Sequence, residues 1–527
     1  MKTHHARFTP ACCRVAGLLA LLVLPAKLWA DLPAGYLYVS TSGADSPEYG
    51  VGYTTIQGAI NASSSGNTVW IEDGFVCNAG GTFVSGAGAT NRIVLNKAIT
   101  LRSVSGTKEN AAVIVGAHHA PGVTINGTAA IRCLYVTAQA TLIGMKLTNG
   151  ATSATTAKYG GGAYLGTGGT GATFSNCVIV ANNAADYGGG VYGGGVFSHC
   201  SIVANYALSR AGGVYGGTLR DCDITDNRTG ASGNGGGTYG STADDSRFVG
   251  NFARIGSGAY AGTLSYCTLV SNSCEYAGGG AASATLSHCQ LAFNKSTTQH
   301  GGGSYLCTLS DCVLTGNTAS YNGAAIFGGS ALRCIITNNA NSRIGGGVIF
   351  GARVTQSLIQ SNTYGDAYNG GVVNGGSLLN CLLRGNSAVN AGGAIVYKVA
   401  ITNSTLVDGS RGRAAFDSSL VNTIVWNNPS AGSDNKATNS LIAASAVVAG
   451  KDNLDTNPLF VGSGEWPYRL QGSSPCIDYG IGGFAWMLPA DPNTRGLDYS
   501  GRRRVIGKAV DLGAFEFMPA GTALIFR

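Results

Sequence analysis

Eight residues recur at one place in a repeating phrase and carry side chains able to do chemistry: Asn176, His199, Asp221, Asp245, Tyr266, His288, Asp311 and Arg333. A chain that coils back on itself once per repeat stacks such residues in one outer column. Asp221 over Asp245 would place two carboxylates about one strand spacing apart, ~4.8 Å. Such a pair can raise one carboxyl pKa for acid work, or share a calcium ion, the one cofactor the pattern admits. His199 beside the pair could carry a proton, and Tyr266 could stack on a sugar ring. A plain solvated face is the competing expectation. Arg220 would lie over Asp244 and Asp223 over Arg247 as surface ion pairs, each worth ~0–1 kcal/mol. No catalytic set is therefore assigned. His199, Asp221, Asp245, Tyr266, His288 and Asp311 stand as a candidate binding column.

The elements that must position this column follow from the repeat. Between about 144 and 428 the chain repeats the phrase apolar-x-x-Cys-x-aliphatic-x-x-Asn, as in Phe174 to Asn182, Leu219 to Asn227, Leu309 to Asn317 and Leu378 to Asn386. Its central position runs Cys177, Cys200, Cys222, Ser246, Cys267, Cys289, Cys312, Cys334, Ser357, Cys381, Ser404 and Thr423, in steps of 19 to 24 residues. A glycine run followed by an aliphatic or aromatic pair falls between copies, as at Gly188–Tyr192, Gly212–Tyr215, Gly235–Tyr239 and Gly345–Ile349. This period is too short for helix-pair solenoids and fits a leucine-rich horseshoe or a β-helix coil. The leucine-rich phrase is absent and period-2 alternation dominates, which selects the β-helix. Each Cys and the aliphatic two places on should point inward, and the polar neighbours of the Cys outward. The recurring Asn can bond its counterpart in the next coil. Stacked copies bury what one copy cannot, giving a rod roughly 70 to 80 Å long at one strand spacing per coil.

Composition agrees. The chain has 527 residues, 82 of them Gly, with 11% charged and 44% apolar residues. Glycine at that level accompanies disorder only where apolar residues are few. The N-terminus reads as a secretory signal over residues 1–30: Lys2, Arg7 and Arg14, then the apolar run Val15–Leu24, then a cleavage region ending at Ala30. Ten apolar residues are too few to span a bilayer. Removing the signal takes four basic residues and leaves 29 against 26 acidic ones, so the basic pI gives no ground for nucleic-acid binding. No later stretch is long and apolar enough for a transmembrane helix.

After cleavage 13 of 15 Cys remain. Most occupy the inward column, interchangeable with Ser and Thr. Stacked neighbours would have parallel Cβ vectors, a poor geometry for bridging, so a ladder of small buried thiols is expected over disulfides. Cys307 and Cys312 have loose ligand-like spacing, but nothing completes a zinc site. Serine-triad, phosphate-loop, zinc-protease and dinucleotide fingerprints do not occur.

Gly392–Ile395 (Gly-Gly-Ala-Ile) and Phe248–Asn251 (Phe-Val-Gly-Asn) resemble the paired repeats of polymorphic outer-membrane proteins. The chain also resembles bacterial pectin-lyase-fold surface proteins with a choice-of-anchor C-terminal module. The N-terminal likeness rests on Leu37–Gly43, Tyr53–Ile60 and Gly66–Gly74, and the C-terminal one on Asn457–Phe460, Tyr468–Asp478 and Val510–Phe517. Within the first, Ile56, Ala59 and Ile60 fit one face of a short helix capping the first coil. The resemblance implies a right-handed parallel β-helix at the outer surface, with a β-rich closing module. Only ten residues follow Phe517, so the membrane barrel of autotransporter relatives is not expected here.

The expectation is an all-β solenoid: a signal at 1–30, cap and first coils at 31–143, regular coils at 144–425, a closing module at 426–517 and a tail at 518–527. Its function would be non-catalytic, adhesin-like or polysaccharide-binding, with a polysaccharide lyase or glycoside hydrolase as the alternative. Location would be secreted or at the outer cell surface, and the partner a polysaccharide or cell-surface ligand.

Overall fold

The computed structural model describes residues 36–519 except 47, 86–87, 119–128, 154–156, 342–345, 366–369, 390–391, 431, 444–448 and 488–495. The expected signal at 1–30, and the tail beyond 519, lie outside these residues. The fold is a right-handed parallel β-helix. Among the described residues four sheets run along it, two of 16 strands, one of 19 and one of 10, parallel throughout except where Thr82–Val84 pairs antiparallel with Ala89–Leu95.

One coil shows how the sequence makes the turn. Val196–Ser198 belongs to sheet 1, Ser201–Val203 to sheet 2, Tyr206–Ala207 to sheet 3 and Val214–Tyr215 to sheet 4. Each pairs in parallel with the next coil: Val196 with Thr218, Ser201 with Asp223, Tyr206 with Arg228, Val214 with Thr238. The middle residues of sheets 1 and 2, such as Phe197 and Ile202, are fully buried. Each such aliphatic or aromatic side chain contributes ~1.5–3 kcal/mol by leaving water.

The nine-residue phrase corrects one expectation. It is not one strand with polar residues flanking the Cys, but two strands joined at a corner. The residue before the central position is left-handed in coil after coil: Asn176 (φ 50), His199 (53), Asp221 (49), Asp245 (47), Tyr266 (53), His288 (54), Asp311 (55) and Arg333 (51). One reversed residue turns the chain from sheet 1 to sheet 2. The glycine runs do a different job between sheets 3 and 4. Gly235 adopts φ 73, and a Cβ at Gly212 would lie 2.5 Å from Gly236 O. No other side chain fits so close an approach.

Two buried ladders hold successive coils in register. Asn182, 205, 227, 251, 272, 294, 317, 339, 362 and 386 form one: each Nδ2 donates to the next Oδ1 at 2.9 to 3.1 Å. The same amides donate to a sheet 2 carbonyl, as Asn227 does to Ile202 O at 2.8 Å. The central column is the second. All 13 described Cys are free thiols, and every one but Cys77 is buried. Ser246 Oγ accepts from Cys222 N at 3.1 Å and donates to Asp244 O at 2.8 Å. Cys312 Sγ likewise accepts from Cys289 N and donates to Ser310 O. The site needs a small side chain that both donates and accepts, which is why Cys, Ser and Thr interchange. Burial pushes the Cys381 thiol up to about 12, so it stays protonated.

At the N-terminal end the helix Ile56–Ala62 caps the first coil. Thr55 Oγ1 accepts from Gly58 N, and Ile56, Ala59 and Ile60 are fully buried beneath it. At the other end, coil stacking continues past the expected boundary at 425. Ser419–Val421 pairs with Lys436–Thr438, and these with Ala449–Lys451. The rest of the closing module follows Lys451. Among the described residues it has the bridges Phe460–Leu470 and Leu497–Arg503 and a 3-10 turn at Ala485–Met487, and its order comes from side-chain-to-backbone bonds. It folds back along the solenoid: Ala514 and Phe515 bury against Leu382 and Val407, and Leu470, Cys476 and Leu512 against Ile424 and Leu441.

Candidate functional site

The corner between sheets 1 and 2 stacks its residues as the sequence predicts. His199 N donates to Arg220 O, Asp221 N to Asp244 O and Asp245 N to Ser265 O. The side chains point outward and sort into pairs. His199 Nε2 lies 3.3 Å from Asp221 Oδ2, with both side chains more than half exposed. Tyr266 stacks on His288 at 4.8 Å between ring centroids, and Ser287 Oγ bonds His288 Nδ1 at 2.8 Å. Arg333 grips Asp311 in a fork, Nε to Oδ1 at 2.7 Å and Nη2 to Oδ2 at 2.8 Å. That fork holds the Asp311 carboxyl below its usual range. Asp245 lies exposed between the two groups.

Two carboxylates stacked for shared acid work are therefore not the leading contact of the column. Asp221 meets His199, and Asp311 meets Arg333. The predicted flank is also present: Arg220 registers with Asp244, and Arg247 Nη1 lies 3.3 Å from Asp223 Oδ1. Among the described residues, no three His, Cys, Asp or Glu side chains converge as a metal set would require.

The same corner column continues downstream as Gln356, Asn380, Asn403, Asn422 and Asn439, again left-handed. Here the closing segment covers it. Gln356 Nε2 donates to Leu497 O at 3.0 Å and Asn380 Nδ2 to the same oxygen at 3.1 Å. With its amide oxygen turned toward the guanidinium, Asn403 accepts from Arg504 Nε at 2.8 Å. Asn422 exchanges two bonds of 2.9 Å with the backbone of Ile481, and Asn439 Nδ2 donates to Tyr479 O at 3.1 Å. Five successive corner amides thus form a docking ledge that the sequence reading did not identify. The signal was the change of residue type at 356, from ionisable and aromatic to amide.

Asp511 and Glu516 of the Val510–Phe517 motif, and Asp498 beside them, are structural. Asp498 accepts from the backbone of Ser500, Arg502 and Glu516, and Asp511 from Asp478 and Phe517. Glu516 accepts from Ile506 and Asp511 and sits 3.9 Å from the fully buried Arg504. Burial raises Glu516 to about 8 and moves Asp498 and Asp511 upward. These are perturbed groups whose hydrogen bonds all run to the fold.

A further outward column lies on sheet 4, where the glycine-aromatic phrase ends. Tyr192, Tyr215, Tyr239 and Tyr260 stack ring on ring at 4.9 to 5.1 Å, with Tyr164 tilted against Tyr192 at 5.5 Å, and each is half-buried. Sequence reading recorded the phrase but gave these rings no role.

Residues 194–380 match the family of periplasmic copper-binding proteins named NosD, which is less than half of the chain. Among curated proteins none matches. Three solved structures are similar over long spans at low identity. Pectate lyase Pel9A is 13% identical, covering 92% of this chain and 96% of that one, with a TM-score of 0.21. The Azotobacter vinelandii mannuronan C-5 epimerase AlgE6 A-module is 13% identical over 76% and 94%, with a TM-score of 0.26. The tailspike of E. coli bacteriophage HK620, as its D339N mutant in complex with pentasaccharide, is 12% identical over 79% and 78%, with a TM-score of 0.23. At such scores the fold rests on the chain's own strand pairing. No helix among the described residues is long and apolar enough to cross a membrane.

Proposed function

We propose that this chain is an exported, non-catalytic β-helix protein that binds polysaccharide along the upstream half of its corner column, between His199 and Arg333. The observation that carries this reading is the exposed Tyr266–His288 stack, flanked by Asp245 and by the Asp311–Arg333 fork. Tyr266 keeps 60% of its surface in water. It also holds a left-handed backbone, which costs a side chain of this kind ~1–2 kcal/mol. Asn is more at ease there, and the covered half of the column uses Asn at four of its five positions. A bulky aromatic kept at such a site is what a sugar-stacking residue requires. Polar and charged neighbours within one or two coils supply hydrogen bonds to hydroxyls.

Cleavage of the polysaccharide is the competing reading, favoured by the His199–Asp221 contact at 3.3 Å. It has less support because both groups are open to water and the column's other fork is already closed on itself. One experiment separates the two: the purified full chain is incubated with neutral and acidic polysaccharides, with and without calcium, and resolved by size-exclusion chromatography. Co-elution at unchanged polymer length supports binding. Shortened polymer would overturn it, and would then be lost in Asp221→Ala or Asp245→Ala.

A further inference from the structure

We infer that the opposite side of the solenoid, where sheets 3 and 4 meet, is a second binding face, and that its ligand is an extended polysaccharide bearing carboxylates. This goes beyond the corner column: it uses other residues and would hold even if the column bound nothing.

The starting point is the tyrosine stripe. Its rings stack on one another, so their faces are spent and only edges and hydroxyls reach solvent. Such a surface offers one phenol hydroxyl per coil, at ring spacings near 5 Å. That step is close to the advance per residue of an extended pyranose chain, so a linear polymer lying along the solenoid axis can meet an equivalent group at each unit.

Cations flank the stripe. Tyr187 pairs in register with Arg210, and Arg210 with Asn234, in the column beside it. The Arg210 guanidinium lies 5.1 Å from the Tyr187 and Tyr239 rings. Arg228, in register with Tyr206 and Phe252 on sheet 3, lies 4.6 Å from the Phe252 ring, and Arg254, next to the Ile255 that pairs with Asn234, lies 4.7 Å from the Tyr276 ring. Among the described residues, none of these three arginines is in an ion pair. A guanidinium stacked on a ring keeps its planar N–H edge available for a carboxylate, in a geometry that Lys does not reproduce.

Charge separates the two sides of the same coils. Asp221, Asp223, Asp226, Asp244 and Asp245 lie on the corners and strands of sheets 1 and 2, against Arg220 and Arg247, whereas Arg210, Arg228, Arg254 and Lys295 lie on the side of sheets 3 and 4, against Asp186 and Glu275. An acidic polymer is repelled by the first and drawn to the second. Axial periodicity, unpaired planar cations and outward hydroxyls together fit a polyuronate better than a neutral glycan.

The test uses the full chain and polygalacturonate, with its fully methyl-esterified form as the neutral control, in calorimetry at two salt concentrations. Polygalacturonate should bind and the ester should not. Changing Arg210, Arg228 and Arg254 together to Gln should weaken binding on the order of tenfold to a hundredfold, as loss of charge-assisted bonds implies. A triple Lys variant keeps the charge and should bind more tightly than the Gln variant, which guards against a folding artefact. Equal binding of ester and acid would overturn the inference. So would an unaltered affinity in the Gln variant, or equal affinity for single-stranded DNA of matched charge, which would mark a general polyanion surface.

Discussion

Upstream of residue 334 the corner column carries His199, Asp221, Asp245, Tyr266, His288, Asp311 and Arg333, mostly exposed. Downstream it carries Gln356, Asn380, Asn403, Asn422 and Asn439, each bonded to the closing segment. The backbone is the same in both halves, left-handed with φ between 45 and 55. The side chains therefore differ for reasons other than the turn. Amides suit a covered ledge, because they donate and accept without bringing a charge out of water. Ionisable and aromatic groups suit an open one. A single structural position thus holds the protein's own chain at one end and lies open to solvent at the other.

The sharpest way to break this contrast is at Arg504. It is fully buried, with Asn403 on one side and Glu516 on the other. Arg504→Met should destabilise the protein by ~3–5 kcal/mol, because it strands buried acids without their cation. Urea denaturation measures this. Arg333→Ala in the open half removes a well-formed but partly exposed fork and should cost only ~0–1 kcal/mol. Equal losses would erase the distinction between the halves.

Next in size is Asn422→Ala, which leaves the amide of Ile481 and the carbonyl it faced without partners. Its expected cost is ~1–3 kcal/mol, against ~0.5 kcal/mol or less for Asp245→Ala.

A pH effect sharpens the same comparison. Glu516 is raised by burial to about 8 from an ordinary 4.5, and Asp498 and Asp511 move the same way. The folded state thus binds more protons than the unfolded state between these values, so stability falls as pH rises from about 4.5 to about 8 and is level beyond. The melting temperature should drop over that window, and Glu516→Gln should flatten the drop.

The smallest effect belongs to Tyr266→Asn. It relieves the left-handed strain and should raise stability by ~1 kcal/mol, while polysaccharide retention falls. A residue that costs stability and supports binding is what the open half requires.

Much of this was legible in the sequence because it is periodic. The Cys column, the Asn ladder and the inward Ile56, Ala59 and Ile60 each follow from spacing on one repeating element. Asp221 and Asp245 could be placed in one column, but not their partners: whether Asp221 turns to His199 or to Asp245 depends on rotamers that spacing does not set. The docking of Leu497, Arg504 and Ile481 on residues 356–439 was invisible for another reason. It joins positions more than 40 residues apart with no repeat between them, and the change to amides at 356 does not say which groups, mostly backbone, they meet. The tyrosine stripe was written out in the glycine-aromatic phrase. What concealed its role is that alternation along so short a strand as Val214–Tyr215 does not by itself say that the rings of successive coils meet.

Oxidative footprinting of the full chain, with and without a polysaccharide that co-elutes with it, tests the division of the corner column most directly. The account predicts that Tyr266 and His288 label readily in the free protein and are protected on binding, while Tyr499, packed inside the closing segment against Trp466 and Phe515, labels slowly in both states. Labelling of Tyr266 that is unchanged by the bound polysaccharide, or a rise at Tyr499 on binding, would contradict it.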